Sequence, residues 1–421
     1  MNDVVKNQPK KRWKVRYTVL LVLWSGWMFS FLDRMVMSVS LPFIGKDLNL
    51  DPAEQGMIIS AFFIGYAVFQ IPGGFFSDKF GARKVMVIAI TWWSIFTSLT
   101  GLILTLPLML LVRFLFGVGE GFFPTSSWKM ISIYFPSKER GRATAIQSSV
   151  NTLGPALAVI FSASIIAAFG WHMVFIILGI PGLIIAGLMF YYCRDNPKDA
   201  PNMTQEELDE ITQDNPSQQS NLTQVIPFSQ VLKQGILWKM SAIWFLFDIT
   251  FWGFSTWLPS YLMNVRGFSL TSTGVVAAIP FLCGTVGTLI GGWYSDHFKS
   301  NRKLGYIAAS FIAAFFLYMT FSVESCYATI IYQCTSTLFM FFAMSLFWGI
   351  LMDCIAPNIM GRASGIVNFG GQLAGIVSPV IIGYLIKISD GNYDGAFICM
   401  IVALILSAAV AATISRKASS L

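Results

Sequence analysis

Apolar stretches of roughly 20 residues, separated by short polar breaks, recur along the chain, and each is long enough to cross a ~30 Å hydrocarbon core as an α-helix. They fall near residues 17–39, 56–77, 84–104, 107–129, 143–168 and 172–193, and again near 238–263, 273–294, 304–323, 327–351, 363–387 and 395–415. Within lipid a helix satisfies its own backbone amides, so the pattern predicts twelve transmembrane helices in two sets of six. Residues 194–237 are polar, and Thr204 followed by Glu207 predicts a short amphipathic helix there. The expected organisation is a basic N-terminal segment at 1–16, a bundle at 17–193, a linker at 194–237, a second bundle at 238–415 and a tail at 416–421.

Composition agrees with lipid as the main solvent. Of 421 residues, 55% are hydrophobic and 12% charged, outside the usual range of soluble domains. The cluster Lys10, Lys11, Arg12, Lys14 and Arg16 precedes the first span like the start of a signal peptide. That span is too long and lacks a small-residue cleavage site, so it is expected to stay uncleaved. Lys79, Arg83 and Lys84, then Lys138, Arg140 and Arg142, then Lys299, Arg302 and Lys303 occupy loops on the side of the termini and linker. Among the opposite loops only Lys46, Arg266 and Lys387 stand out. The positive-inside rule then predicts a multi-pass plasma (bacterial inner) membrane protein with cytoplasmic termini. The net charge of +7 is thus a topology signal, and no nucleic-acid partner is expected. Six cysteines without CxxC spacing predict neither a disulfide framework nor a metal site. With only His172 and His297, no HExxH, no Walker loop and no nucleophile triad, neither an enzyme nor ATP-driven transport is expected.

A repeat of about 220 residues joins the two sets. Gly73-Gly74-Phe75-Phe76-Ser77-Asp78-Lys79 returns as Gly291-Gly292-Trp293-Tyr294-Ser295-Asp296-His297, and Gly141-Arg142-Ala143 with Gly154-Pro155 returns as Gly361-Arg362-Ala363 with Gly375 and Pro379. Two related halves with a midplane cavity between them suit a secondary transporter. Charges inside spans sharpen this, because each costs about 2.5–3.5 kcal/mol at a helix centre. Asp33 and Arg34 lie in the first span and Arg113 and Glu120 in the fourth, the latter pair on one helix face. They are either static ion pairs joining the two helices, or an arginine that binds an anion beside a carboxylate that carries the driving proton. The second reading is favoured, since static pairs are a poor source of stability at low dielectric. Asp248 is either a further intramembrane acid or lies near the wet end of its helix.

The loop GGFFSDKFGARK, residues 73–84, resembles the signature loop of the major facilitator superfamily, with its weaker copy at 291–303. The resemblance implies an all-α membrane protein with twelve transmembrane helices in two pseudo-symmetric six-helix bundles. It also implies conformational gating by Gly73, Asp78, Arg83, Asp296 and Arg302. Phe31-Leu32-Asp33-Arg34, Ser60 to Gly65-Tyr66 with Gln70 to Gly74, Arg113 with Gly119-Glu120-Gly121, and Tyr134 to Arg140 resemble the anion:cation symporter branch. By that resemblance Arg34 faces a substrate carboxylate, Asp33 and Glu120 couple protons, and Arg113 serves the acid or the substrate. Tyr66, Asn151, Trp348 and Asn368 line the cavity. Ser126-Ser127 and Asn151, with Gln147 a turn earlier, depart from the sugar-acid pattern of paired asparagines and a glutamine. The expected function is proton-coupled import of an organic anion, foremost a sugar acid such as a hexonate, hexuronate or aldarate. Alternatives are symport of an aromatic acid or dicarboxylate, proton-antiport export, and ligand sensing without flux. No cofactor beyond the coupling proton is expected, and the chain is expected to be a monomer in the bilayer.

Overall fold

A computed structural model describes residues 13–213, 232–355 and 360–414. Its helices are α1 (Val15–Asp47), α2 (Pro52–Phe80), α3 (Ala82–Thr100), α4 (Leu106–Gly121), α5 (Phe123–Tyr134), α6 (Ser137–Ser148), α7 (Val150–Tyr192) and α8 (Gln205–Gln213). The second half holds α9 (Gly235–Asn264), α10 (Leu270–His297), α11 (Arg302–Ser322), α12 (Cys326–Cys354), α13 (Met360–Ile388) and α14 (Asp394–Ala412).

Among the described residues, nine helical segments are long and apolar enough to cross a membrane. One of them, the 55-residue segment Lys138–Tyr192, holds two crossings because the chain reverses at Gly170, whose φ of 78° lies in the left-handed region that favours glycine. Trp171, just past the reversal, donates to Asp47 at the end of α1 (2.7 Å). The more polar α3 and α9 complete twelve crossings. The fourth crossing is broken at Phe122 into α4 and α5, where Pro124 opens the new helix. Between α1 and α2 the chain turns through a capping box: Glu54 N–H donates to the Asp51 carboxylate (3.0 Å), and Asp51 N–H returns the bond to Glu54 (2.9 Å). The helix expected in the linker is α8, with Thr204 accepting from Glu207 N–H (3.2 Å).

Small residues set how closely the crossings approach. A methyl on Gly65 would overlap the Phe114 carbonyl oxygen, and one on Gly117 would overlap that of Phe62. Helices α2 and α4 therefore touch backbone to backbone, and Gly73 extends the seam to Phe122. In the second half Gly287 against the Leu338 carbonyl and Gly291 against that of Phe342 build the same seam between α10 and α12. The sequence repeat is thus a repeat of packing.

The halves meet at the membrane face opposite the termini. There Asp51 pairs with Lys387 (2.7 Å), Gly56 lies against the Pro379 carbonyl, Gly383 against that of Pro52, and Gly274 against Ala163. Toward the midplane Ser60 donates to the Ile376 carbonyl, while Phe63 packs edge-on to Trp252 (4.7 Å) and covers Gly375. At the face bearing the termini, α8 clasps the first half. Glu207 accepts from the Val15 and Arg16 amides at the start of α1 (both 3.0 Å), offsetting that terminus's unpaired donors. Glu210 binds Lys14 (2.6 Å) and Arg16 (2.8 Å), and Arg16 also reaches Glu139 (3.1 Å). The hydrogen bond from Lys14, reinforced by Arg16, holds the Glu210 carboxyl below the usual carboxylate range against a smaller opposing effect of burial.

Candidate functional site

The glycine seam between α2 and α4 brings Phe62 and Tyr66 against Arg113, Phe116 and Glu120, and the middle of α1 adds Asp33 and Arg34. All four charged side chains are buried. Arg34 donates through Nε to Glu120 Oε2 (2.8 Å), and its Nη2 lies 2.7 Å from the same oxygen in an ion pair. Its guanidinium lies 4.6 Å from the Tyr66 ring centroid, 5.1 Å from Phe62 and 5.4 Å from Phe31, an aromatic collar that favours a cation. Glu120 Oε1 is enclosed and has no hydrogen-bond partner.

The other two charges are not joined. Asp33 Oδ2 accepts from Thr97 (3.2 Å), while Oδ1 is enclosed without a partner. Arg113 sits 4.2 Å from the Phe116 ring and 5.5 Å from Phe62; its Nε and Nη1 find no acceptor. Buried donors and acceptors are rarely left unpaired, so these groups, clustered around the Arg34–Glu120 pair, are candidates for contact with a ligand, a water or a proton. The sequence placed these four charges together, but the cross-helix pair is Arg34 with Glu120, and Arg113 makes no ion pair with either acid.

The remaining expected residues divide. Tyr66 is in the Arg34 collar. Trp348 on α12 is half-buried and meets the Trp244 ring at 5.1 Å. Asn151 on α7 and Asn368 on α13 are half-buried and make no side-chain hydrogen bond among the described residues. The gating set lies at the termini-bearing face, each half bonded within itself. Asp78 pairs with Lys129 (2.7 Å), and Arg83 donates to the Phe190 carbonyl (3.0 and 2.6 Å) and stacks on its ring. Arg302 pairs with Asp353 (2.7 Å) and donates to the Ser295 carbonyl (2.8 Å). Asp296 is exposed and makes no ion pair among the described residues. Among the described residues neither Asp78 nor Arg302 reaches across to the other half.

Two expectations need correction or extension. Asp248 is not near a wet helix end: it lies near the middle of α9 and is 6% exposed. Sequence reading missed Trp244, Thr97 and the Phe63–Trp252 contact. For Trp244 a signal existed, because residues 244, 248 and 252 form a stripe at four-residue spacing.

Residues 23–379 match the model of the Major Facilitator Superfamily. The probable sulfoacetate transporter SauU of Cupriavidus necator is 33% identical over 397 residues, 92% of this chain and 91% of that protein. The hexuronate transporter of Bacillus subtilis is 30% identical over 398 residues, 91% of each. The probable galactarate/D-glucarate transporter GarP of Escherichia coli K12 is 30% identical over 414 residues, 90% of each. Of solved structures, a bacterial homolog of the human lysosomal transporter Spinster superposes with a TM-score of 0.77 at 19% identity, over 94% of this chain and 96% of that one. The D-xylose-proton symporter does so at 0.74 and 16%, over 96% and 99%.

Proposed function

The chain belongs to the Major Facilitator Superfamily, whose relatives named above are transporters and not enzymes, and on that footing we propose that it is a proton-coupled symporter importing a small organic anion, foremost a sugar acid, by alternating access. The observation that carries this reading is the buried Arg34–Glu120 pair. Nε and Nη2 of the guanidinium both approach one glutamate oxygen, and a substrate carboxylate seeks those same two nitrogens in a fork geometry. Anion and Glu120 carboxylate therefore compete for Arg34. A proton on Glu120 ends the competition, so proton and anion favour each other's binding, as a symporter requires. Asp33, with one oxygen unpartnered, is the second candidate proton acceptor, and Arg113 supplies a further positive group.

The cargoes for which these relatives are named, sulfoacetate, hexuronate and galactarate or D-glucarate, support a carboxylate-bearing cargo. The seal at the far face supports access from the termini-bearing face, and the basic loops on that face support its being cytoplasmic. Asp78 and Arg302 then exchange partners as the cavity changes sides. The test is uptake of radiolabelled sugar acids into proteoliposomes under an imposed pH gradient. Accumulation should need the gradient and vanish in Arg34→Ala; accumulation that survives either loss would overturn the reading.

A further inference from the structure

Two sets of close contacts pull neighbouring helices of the first half apart. Gly65 and Gly73 hold α2 against the backbone of α4 at the Phe114 carbonyl and Phe122, whereas Gly179 and Gly182 on α7 receive Ser98 and Ser94 of α3. Helices α2 and α3, joined at Gly81 with φ of 93°, therefore part beyond that turn, and a cleft of about 490 Å³ opens between them and α4. Phe76 and Phe80 of α2, Ile88 and Trp92 of α3 and Val118 of α4 are among its lining. The first four are exposed, Ile88 by 66%, and because they belong to membrane crossings the medium that wets the cleft is lipid. Trp92 commits its only polar group to the Leu115 carbonyl (2.7 Å) and presents carbon alone to the cleft.

One end of the cleft is basic. Lys84 is the single charged residue lining it, next to the α2–α3 turn and eight residues, or ~12 Å, from Trp92. On the other side of the turn Lys79 lies 5.3 Å from the ring of Phe80, itself part of the lining. Nearby acids are occupied: Asp78 pairs with Lys129, and Asp195 accepts from the Arg83 amide. Among the described residues neither Lys79 nor Lys84 has an anionic partner.

We propose that this cleft binds one anionic phospholipid of the leaflet on the termini-bearing side, with an acyl chain between α2 and α3 and the phosphate on Lys84 and Lys79. The inference concerns a ligand other than the cargo and does not depend on the transport reading. A chain that enters the cleft only exchanges one apolar surrounding for another, so the cleft fixes where a lipid sits and the headgroup decides which lipid. Each lysine near an anionic lipid is worth roughly fivefold in binding, and two together give about 10- to 30-fold. A second copy of the chain is a poorer occupant, because helices associate in lipid through small residues and interhelical hydrogen bonds, and this rim carries Phe76, Phe80 and Ile88.

Native mass spectrometry of the purified, delipidated full chain tests the site, with palmitoyl-oleoyl phosphatidylglycerol and the phosphatidylcholine of the same chains as probes. The first phosphatidylglycerol should bind about 10- to 30-fold more tightly than phosphatidylcholine. The double variant Lys79→Gln, Lys84→Gln should bring the two within about twofold. Ile88→Trp, which fills the cleft from a lipid-facing position, should weaken both lipids with the melting temperature unchanged. Glycerophosphoglycerol, the same headgroup without chains, should not compete. A wild type indifferent to headgroup, a double variant that keeps the preference, or an Ile88→Trp variant that binds both lipids as before would each overturn the inference. Competition by the chain-free headgroup would overturn it too, by reassigning the lysines to a soluble phosphate, and a wild-type dimer that Ile88→Trp splits would make the cleft an interface between copies instead.

Discussion

Replacing Glu120 by glutamine should convert a pH-dependent anion site into a pH-independent one. In the wild type Arg34 is held by a charge-assisted hydrogen bond from Nε at 2.8 Å and an ion-pair contact from Nη2 at 2.7 Å, in a place where removing one partner of such a pair costs about 3–5 kcal/mol. An anion that must displace an ionised Glu120 bears that cost, equivalent to roughly two to three and a half decades of affinity. Protonation removes it. Affinity should therefore improve as pH falls, by about tenfold per pH unit for a single linked proton, until Glu120 is fully protonated. Glutamine is nearly isosteric but cannot ionise, and its neutral acceptor holds the guanidinium about half as strongly. Its dissociation constant should be flat with pH and lie near the wild-type low-pH limit. Equilibrium binding of a labelled sugar acid across about three pH units around neutrality measures both slopes. A Glu120→Gln variant that retains the wild-type slope would refute the competition for Arg34 and shift the linked proton to Asp33.

Three further outcomes follow from the packing and the faces. Gly117→Val must push its side chain into the Phe62 carbonyl, so the α2–α4 seam should loosen by about 1–3 kcal/mol, read as a lower melting temperature together with loss of anion binding. Cysteines in place of Asp51 and Lys387, which lie in contact across the halves, should react with a short thiol cross-linker and stop transport, with cross-linker-treated wild type as the control; full transport by the cross-linked protein would show that the far face need not open. The Glu210 clasp carries a definite pH window. Its folded-state acidity is strengthened, chiefly by Lys14, so its contribution is complete above the ordinary carboxylate range and is lost as pH falls through the lowered folded value. Hydrogen exchange at the start of α1 should rise in that acidic window, and Glu210→Gln should show the raised exchange already at neutral pH.

The crossings, the repeat and the buried charges were legible in the sequence because lipid leaves few alternatives. A run of twenty apolar residues must be helical, and a charge inside it must face protein. Partner choice was less legible. Whether Arg34 meets Asp33, next to it in the chain, or Glu120, a helix away, depends on how α1 is rotated against its neighbours, and that depends on close approaches such as Phe31 of α1 over Gly154 of α7, which no hydropathy pattern names. The break at Phe122 could have been read from Pro124. The α8 clasp could not, since which of several glutamates in a polar linker caps α1 is a matter of tertiary approach. Asp248 was visible as a charge, but its place near mid-membrane became clear only once Gly371 and Trp252 fixed its surroundings.

The seal between Asp51 and Phe63 also has an electrical meaning. Those twelve residues of α2 climb ~18 Å at 1.5 Å per residue, more than half of a ~30 Å hydrocarbon core. Voltage falls where the dielectric is low and packed, so in this conformation much of the membrane potential drops across the plug and little between the Arg34 site and the termini-bearing side. Rocking the halves therefore moves the field past the cargo as much as the cargo through the field. One anion accompanied by one proton would make the loaded step nearly voltage-blind, whereas each unbalanced charge would feel about 2.3 kcal/mol per 100 mV. On the symport reading proposed above, the ratio of current to flux thus counts the protons that travel with the anion.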